Sequence, residues 1–143
     1  MRVLIDTNVV LDVVLARKPW AAEASVLLDR AARREVEGFV AGHSVMTVFY
    51  IVERERDRRS ALTAVGDLLS VVAVAELGGA DFQRALTFGL KDFEDAVQVA
   101  ASLRIGADFL ATRNARDFRA SPATTRTPGE ILALLAAAHR PDV

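Results

Sequence analysis

The chain has 143 residues, 52% of them apolar and 26% charged, with a formal net charge of −1. That balance describes one ordinary globular domain, residues 1–143, with enough apolar mass for a sizeable core, rather than a disordered chain. The absence of cysteine excludes disulfides, thiolate catalysis and thiolate-bound zinc; no apolar run approaches the roughly 18 residues of a membrane helix, and no signal peptide is visible, so a cytoplasmic protein with no membrane partner is expected.

Residues 2–5 read as a short buried strand. Val3, Leu4 and Ile5 then run straight into Asp6-Thr7-Asn8, and a carboxylate at the end of a buried strand is costly unless something pairs with it. Asn8 to Ala16 is apolar enough for a first helix, with Asn8 as its cap. Pro19 fits the first turn of a second helix that runs to about Arg34 with Ala22, Val26 and Leu27 on one face. Gly38 to Ala41 is a second strand, and Ser44 is placed to cap a helix through "TVFYIVERE". A helix over 59–69 precedes a third strand, Val71 to Ala75.

Ala80 to Thr87 is helical and stops at Gly89. Asp92 caps a helix over 93–104 that Gly106 terminates. Residues 107–111 form a fourth strand and 123–126 a fifth, and "TPGE" opens a last helix through His139. Strands that alternate with helices and are apolar on both faces specify an α/β fold, a parallel sheet covered on both sides. In such sheets the functional crevice lies outside the carboxyl ends of the strands.

Three segments deliver acids to that end. Asp6 follows the first strand; Thr112, Asn114 and Asp117 follow the fourth in "FLATRNARDF"; Asp92, Glu94 and Asp95 open a helix in "KDFEDAVQVAAS". Each has a local reading as well. Asp92 reads as a helix cap, Glu94 as a solvated first-turn residue favoured by the helix dipole, and Asp117 as a turn residue before Phe118. Asp95 suits the dipole too, but shares its helix with the apolar Ala96, Val97, Val99 and Ala100. Gathered together, these carboxylates would repel one another unless a cation sat among them. Hard oxygen ligands suit Mg²⁺ or Mn²⁺.

Sixteen of the eighteen basic residues are arginine, whose planar fork suits phosphate. The run "ERERDRR" alternates in sign as exposed helices do. Arg113 and Arg116 flank the acids of the fourth strand and are candidates to hold a phosphate backbone. His43, just past the second strand, is within reach of the same pocket, though it reads first as a structural histidine.

The start "DTNVVLD", the "DFEDA" helix and the "L-x-T-R-N-x-x-DF" ending resemble the PIN domain family, and more narrowly the VapC-type toxin ribonucleases of toxin–antitoxin pairs. The resemblance spans nearly the whole chain, from Arg2 to "TPGEIL". It implies a three-layer α/β/α sandwich around a mostly parallel sheet, an acidic pocket holding Mg²⁺ or Mn²⁺, cleavage of RNA, a cognate antitoxin and a homodimer. Carried over by motif, Asp6, Asp95 and Asp117 are the catalytic acids and metal ligands. Asn114 offers an amide oxygen where some members have an aspartate, and Thr7, Asn8 and Thr112 orient ligands or bound water. The apolar helices "VVLDVVL" and "SVMTVFYIV" are candidate dimer surfaces, or core.

One position departs from the family pattern. A glutamate is expected on the helix after the second strand, where this chain has Tyr50; Glu53 lies one turn later on the same side. The departure leaves a second reading open, a catalytically degenerate module of the same fold that binds RNA or a partner protein. A phosphatase with an aspartate nucleophile after the first strand would want a second aspartate where Asn8 stands. A dinucleotide-binding domain would want a glycine-rich loop after that strand, and none is present.

Overall fold

The computed structural model describes residues 1–139; residues 140–143, the end of the expected 1–143 domain, lie outside the described residues. Strands β1 (Arg2–Ile5), β2 (Glu37–Ala41), β3 (Ala73–Ala75), β4 (Phe109–Ala111) and β5 (Thr125–Arg126) form one sheet in the order β3-β2-β1-β4-β5. All of its pairings are parallel; Leu4 stands opposite Phe39 on one side and Leu110 on the other. The chain winds outward from β1 to β3, then returns to the other side of β1 for β4 and β5. The β1–β4 boundary is therefore the topological switch point, where open parallel sheets form their crevice.

Side chains alternate across the sheet, as the two-residue period of a strand requires. Val3, Ile5, Val40 and Ala111 pack on one face, under α1 (Thr7–Val14), α2 (Ala21–Ala32), α3 (Gly42–Glu55), α4 (Arg58–Val71) and α7 (Pro128–Ala138). Leu4, Ala41, Ala75 and Leu110 pack on the other, with Val99 and Ala101 of α6 (Phe93–Arg104), to which α5 (Gly79–Ala85) is joined. The result is the expected three-layer sandwich. Val3, Leu4 and Ile5 are wholly buried, a stabilisation of roughly 2 kcal/mol each. Gly38 in β2 permits close layer packing: a Cβ there would stand 3.0 Å from both Ala31 Cβ and Val72 Cγ1.

Several local signals act as read. The Asp92 side chain accepts from the backbone N–H groups of Glu94 and Asp95, and Gly106, at φ +62°, lies just beyond the end of α6. Thr127 and Glu130 form a reciprocal capping box at the start of α7, with Pro128 in its first turn. Three expected boundaries shift. Asp6, not Asn8, occupies the cap position of α1, because the helix begins directly at the strand end. Likewise α3 begins at Gly42, which places Ser44 inside its first turn, buried rather than capping. Pro19 precedes α2, which starts at Ala21. The apolar side chains of α1 (Val9, Val10, Leu11) are spent on the core, whereas α3 leaves Met46 and Tyr50 exposed. Among the described residues no helix is long and apolar enough to cross a membrane.

Candidate active site

Strand β1 ends at Ile5, and Asp6 continues its ladder by donating its backbone N–H to the Ala111 carbonyl at 3.0 Å. Strand β4 ends at Ala111, so Thr112 emerges beside Asp6 and donates its hydroxyl to Asp6 Oδ2 at 3.0 Å. Asp6 is only 4% exposed. Burial pushes its carboxyl from the ordinary 3.8 up to about 6; Thr112 opposes that shift, and the charge of Glu94 adds to it.

Asp95, in the first turn of α6, faces the same place. Its carboxyl is pushed up to about 7, first by burial and then by the charges of Asp92, Asp6, Glu94 and Asp117. Asp117 is exposed in the short 3₁₀ turn Ala115–Phe118, and its backbone N–H donates to the Asn114 carbonyl at 3.0 Å. The structure thus brings Asp6, Asp95 and Asp117 into one field, with the exposed Asn114 on the same loop; the Asn114 N–H donates to Thr112 Oγ1 at 3.2 Å. Among the described residues no lysine or arginine lies within ion-pair distance of Asp6, Asp95 or Asp117.

A buried polar network adjoins the acids. Gln98 Nε2 donates to Thr7 Oγ1 and to Ser44 Oγ at 3.0 Å each, the two hydroxyls are 2.7 Å apart, and Thr7 Oγ1 donates to Glu94 Oε1 at 3.0 Å. His43 Nε2 lies 3.5 Å from Glu94 Oε1. The His43 contact is the leading cause that holds the Glu94 carboxyl below the usual range, with Thr7 acting in the same direction. Glu94, counted among the delivered acids but read as solvated, and His43, read as structural, thus adjoin the acids, and Ser44 and Gln98 join them in a network that sequence reasoning missed. The one available signal was polarity at Gln98, in the middle of the otherwise apolar buried face of α6.

Of the other expected residues, Asn8 reaches Asp6 through its backbone N–H and Arg116 neighbours Asp117 in the chain, whereas Glu53, Tyr50 and Arg113 are turned to other partners or to solvent. Glu53 reaches toward Arg58 at 3.9 Å, and Tyr50 is 58% exposed. Arg113 turns away to Asp12, with Nη1 3.1 Å from Oδ1, and stacks over the Trp20 ring at 3.9 Å from its centroid. Arg116 is exposed, and Asn8 is half-buried within α1. A groove of about 660 Å³ between α1, α2, α3 and α4 contains none of these acids. It is apolar walled and remote from this chemistry.

The donor set fits a divalent cation of the hard class. Two buried or half-buried carboxylates, both pushed up first by burial and then by neighbouring acids, with no cationic side chain paired to them among the described residues, form a region that a cation would neutralise. Among the described residues no three histidine, aspartate or glutamate side chains form a preassembled cage. Mg²⁺ does not need one, since it keeps several waters and is held by one or two carboxylates plus substrate phosphate.

Solved structures of similar fold include DNA-bound VapBC from Salmonella typhimurium, at 14% identity and TM-score 0.71 over 90% of this chain and 98% of that one. VapBC2 from Rickettsia felis, bound to a DNA fragment from its promoter, aligns at 10% identity and TM-score 0.68 over 89% and 98%. VapC20 from Mycobacterium tuberculosis, described as a Sarcin-Ricin loop cleaving toxin, aligns at 16% identity and TM-score 0.67 over 83% and 95%. Among curated proteins no sequence match is found. The PIN domain profile PIN_3 matches residues 2–116. With that match over most of its length, and with a parallel sheet whose switch point gathers the acids, the chain belongs to the PIN domain family.

Proposed function

We propose that this chain is a metal-dependent endoribonuclease, the toxin of a type II toxin–antitoxin pair, hydrolysing RNA phosphodiesters at the acidic pocket. The observation that carries the reading is the convergence of Asp6 and Asp95 at the β1–β4 switch point, both carboxyls raised toward neutrality with no cationic side chain among the described residues paired to them. Support comes from the family and from a fold neighbour described as a Sarcin-Ricin loop cleaving toxin.

Asp6, Asp95 and Asp117 would hold Mg²⁺ or Mn²⁺, with the Asn114 amide oxygen as a further donor. The cation, when bound, acidifies an attacking water and offsets charge on the phosphate. Thr112 fixes the orientation of Asp6, while Thr7 and Asn8 sit on the first turn of α1 next to it. Any of the three carboxylates that would hold the ion is placed to take the proton of the attacking water. Arg116, exposed beside Asp117, is available to an RNA backbone phosphate. Arg113 is not available in the same way, because its guanidinium is engaged by Asp12 and Trp20.

The cognate partner would be an antitoxin chain with a segment that covers or fills the acidic pocket; the homologous folds in the VapBC structures are consistent with it. A homodimer is expected to use α3, where Met46 and Tyr50 are exposed. Tyr50, standing where the family places a glutamate, favours one other reading, a degenerate module that binds RNA without cutting it. Incubation of the purified chain with tRNA and mRNA fragments in Mn²⁺, Mg²⁺ or EDTA separates the two. The nuclease gives fragments that EDTA abolishes; the degenerate module gives RNA retention in a mobility shift and no fragments in any buffer.

A further inference from the structure

The acid expected on α3 is missing, and the structure offers a replacement on α6. This inference rests on the metal-dependent reading above. Tyr50 is exposed, and Glu53, 39% exposed at its side chain, is drawn to Arg58 rather than toward Asp6. What α3 does send to the site is Ser44 and His43, and both lead to Glu94.

The proton count gives this network a direction. Gln98 Nε2 carries two hydrogens, and its two 3.0 Å contacts to Thr7 and Ser44 use both. The Thr7 hydroxyl has one hydrogen, which goes to Glu94 Oε1 because a carboxylate can only accept. Ser44 must therefore be the donor in its 2.7 Å contact with Thr7. Every donor points along the chain Gln98, Ser44, Thr7, Glu94.

His43 completes the arrangement from the side. With both Gln98 hydrogens committed elsewhere, His43 Nε2 receives none from its 3.5 Å neighbour Gln98 Nε2. His43 Nε2 faces Glu94 Oε1 at 3.5 Å, and His43 Nδ1 is a buried atom without a partner among the described residues. Thr7 and His43 both end on Oε1, so Oε2 stays available. Thr7 is also the residue after Asp6, so its hydroxyl latches Glu94 to the backbone that carries the first acid.

We propose that Glu94 takes the place of the missing α3 acid, its Oε2 completing the cation-holding set with Asp6 and Asp95, while Thr7 and His43 fix its orientation. Glu53 and Tyr50 then have no part in holding the cation. The α3 contribution survives as the Ser44 and His43 side chains that anchor the substitute.

The test is Mn²⁺ titration calorimetry on the metal-free full chain, with RNA cleavage measured on the same preparations. Wild type is compared with Glu94→Gln, Glu94→Asp, Glu53→Gln and Asp6→Asn. Glu94→Gln keeps an oxygen to accept from Thr7, and a melting temperature taken in EDTA confirms that each variant is folded. The expected result is at least a tenfold loss of Mn²⁺ affinity in Glu94→Gln, a smaller loss in Glu94→Asp and none in Glu53→Gln. Glu94→Gln binding Mn²⁺ as wild type does, while Asp6→Asn fails to bind it, overturns the proposal; so does a loss confined to Glu53→Gln. A wild type that takes up no Mn²⁺ overturns both this assignment and the nuclease reading. Mn²⁺ binding lost in Glu94→Gln, with no RNA cut by wild type, supports the Glu94 assignment and sinks the ribonuclease alone.

Discussion

The Thr112 hydroxyl donates to Asp6 Oδ2 at 3.0 Å, and this bond joins the ends of the two strands that flank the topological switch point. It is also the largest influence opposing the burial that raises the Asp6 carboxyl. Removing it in Thr112→Val should raise that carboxyl further and leave a buried acceptor short of a partner, at a stability cost of about 1–2 kcal/mol. Mn²⁺ binding would then weaken more at pH 6 than at pH 8, where Asp6 is ionised in both proteins. Calorimetry at the two pH values checks this; an equal deficit at both would mean that Thr112 acts through shape and not through the Asp6 proton.

The metal-free domain should lose stability as pH rises from about 4 to 7. Asp6 titrates at 3.8 in an ordinary environment and at about 6 when folded, so between those values the folded state holds more protons and stability falls with pH. For Asp6 the loss amounts to about 3 kcal/mol. Asp95, pushed to about 7, extends the fall in the same direction. Chemical denaturation in EDTA at pH 4.5, 6 and 7.5 reads it. Asp6→Asn should flatten part of the slope, mainly below pH 6, and saturating Mn²⁺ should reverse it.

A different acid is held by purely structural partners. Asp12 is 1% exposed, and its Oδ1 faces Arg113 at 3.1 Å and Arg17 at 3.8 Å. Burial still leaves its carboxyl raised against the pull of both arginines. Arg113→Ala should therefore destabilise by about 3 kcal/mol, chiefly by stranding a buried carboxylate. Arg113→Ala combined with Asp12→Asn should recover much of that loss in denaturant midpoints. If Arg113→Ala left stability intact and weakened RNA binding, the guanidinium would belong to the substrate instead.

Gln98 is fully buried and feeds two hydroxyls. Gln98→Leu conserves volume but leaves Thr7 and Ser44 without their common donor, for a cost of about 1–3 kcal/mol. Thr7 and Glu94 should also lose their fixed orientation, so Mn²⁺ affinity should fall together with the denaturation midpoint. A fall in the midpoint alone would confine Gln98 to a packing role.

What could be read in the sequence was whatever is decided within a few neighbours. Asp92 caps α6, Gly106 follows its end and "TPGE" starts α7 because caps and left-handed turns are local chemistry. Asp6 was legible because nothing local explains an acid after three buried apolar residues. The starts of α1 and α3 were not, since each helix begins where its strand ends, which tertiary structure decides; Asn8 and Ser44 are good caps in the wrong place. Glu94 illustrates the same limit at the site. The helix dipole accounts for an acid in the first turn, and its true partners, Thr7 and His43, lie 87 and 51 residues earlier in the chain. Arg113 also has its carboxylate partner far away in sequence, at Asp12.

The most direct measurement is RNA cleavage by wild type and Asp95→Asn side by side, in Mn²⁺ and in EDTA, at pH 7.5. Asp95→Asn removes a carboxyl that burial first, and then its acidic neighbours, push up, so the variant should fold at least as well as wild type without metal, and the comparison is free of unfolding. The account predicts fragments from wild type in Mn²⁺ only, and none from the folded variant. Equal cleavage by the two proteins, or cleavage undiminished in EDTA, would contradict it.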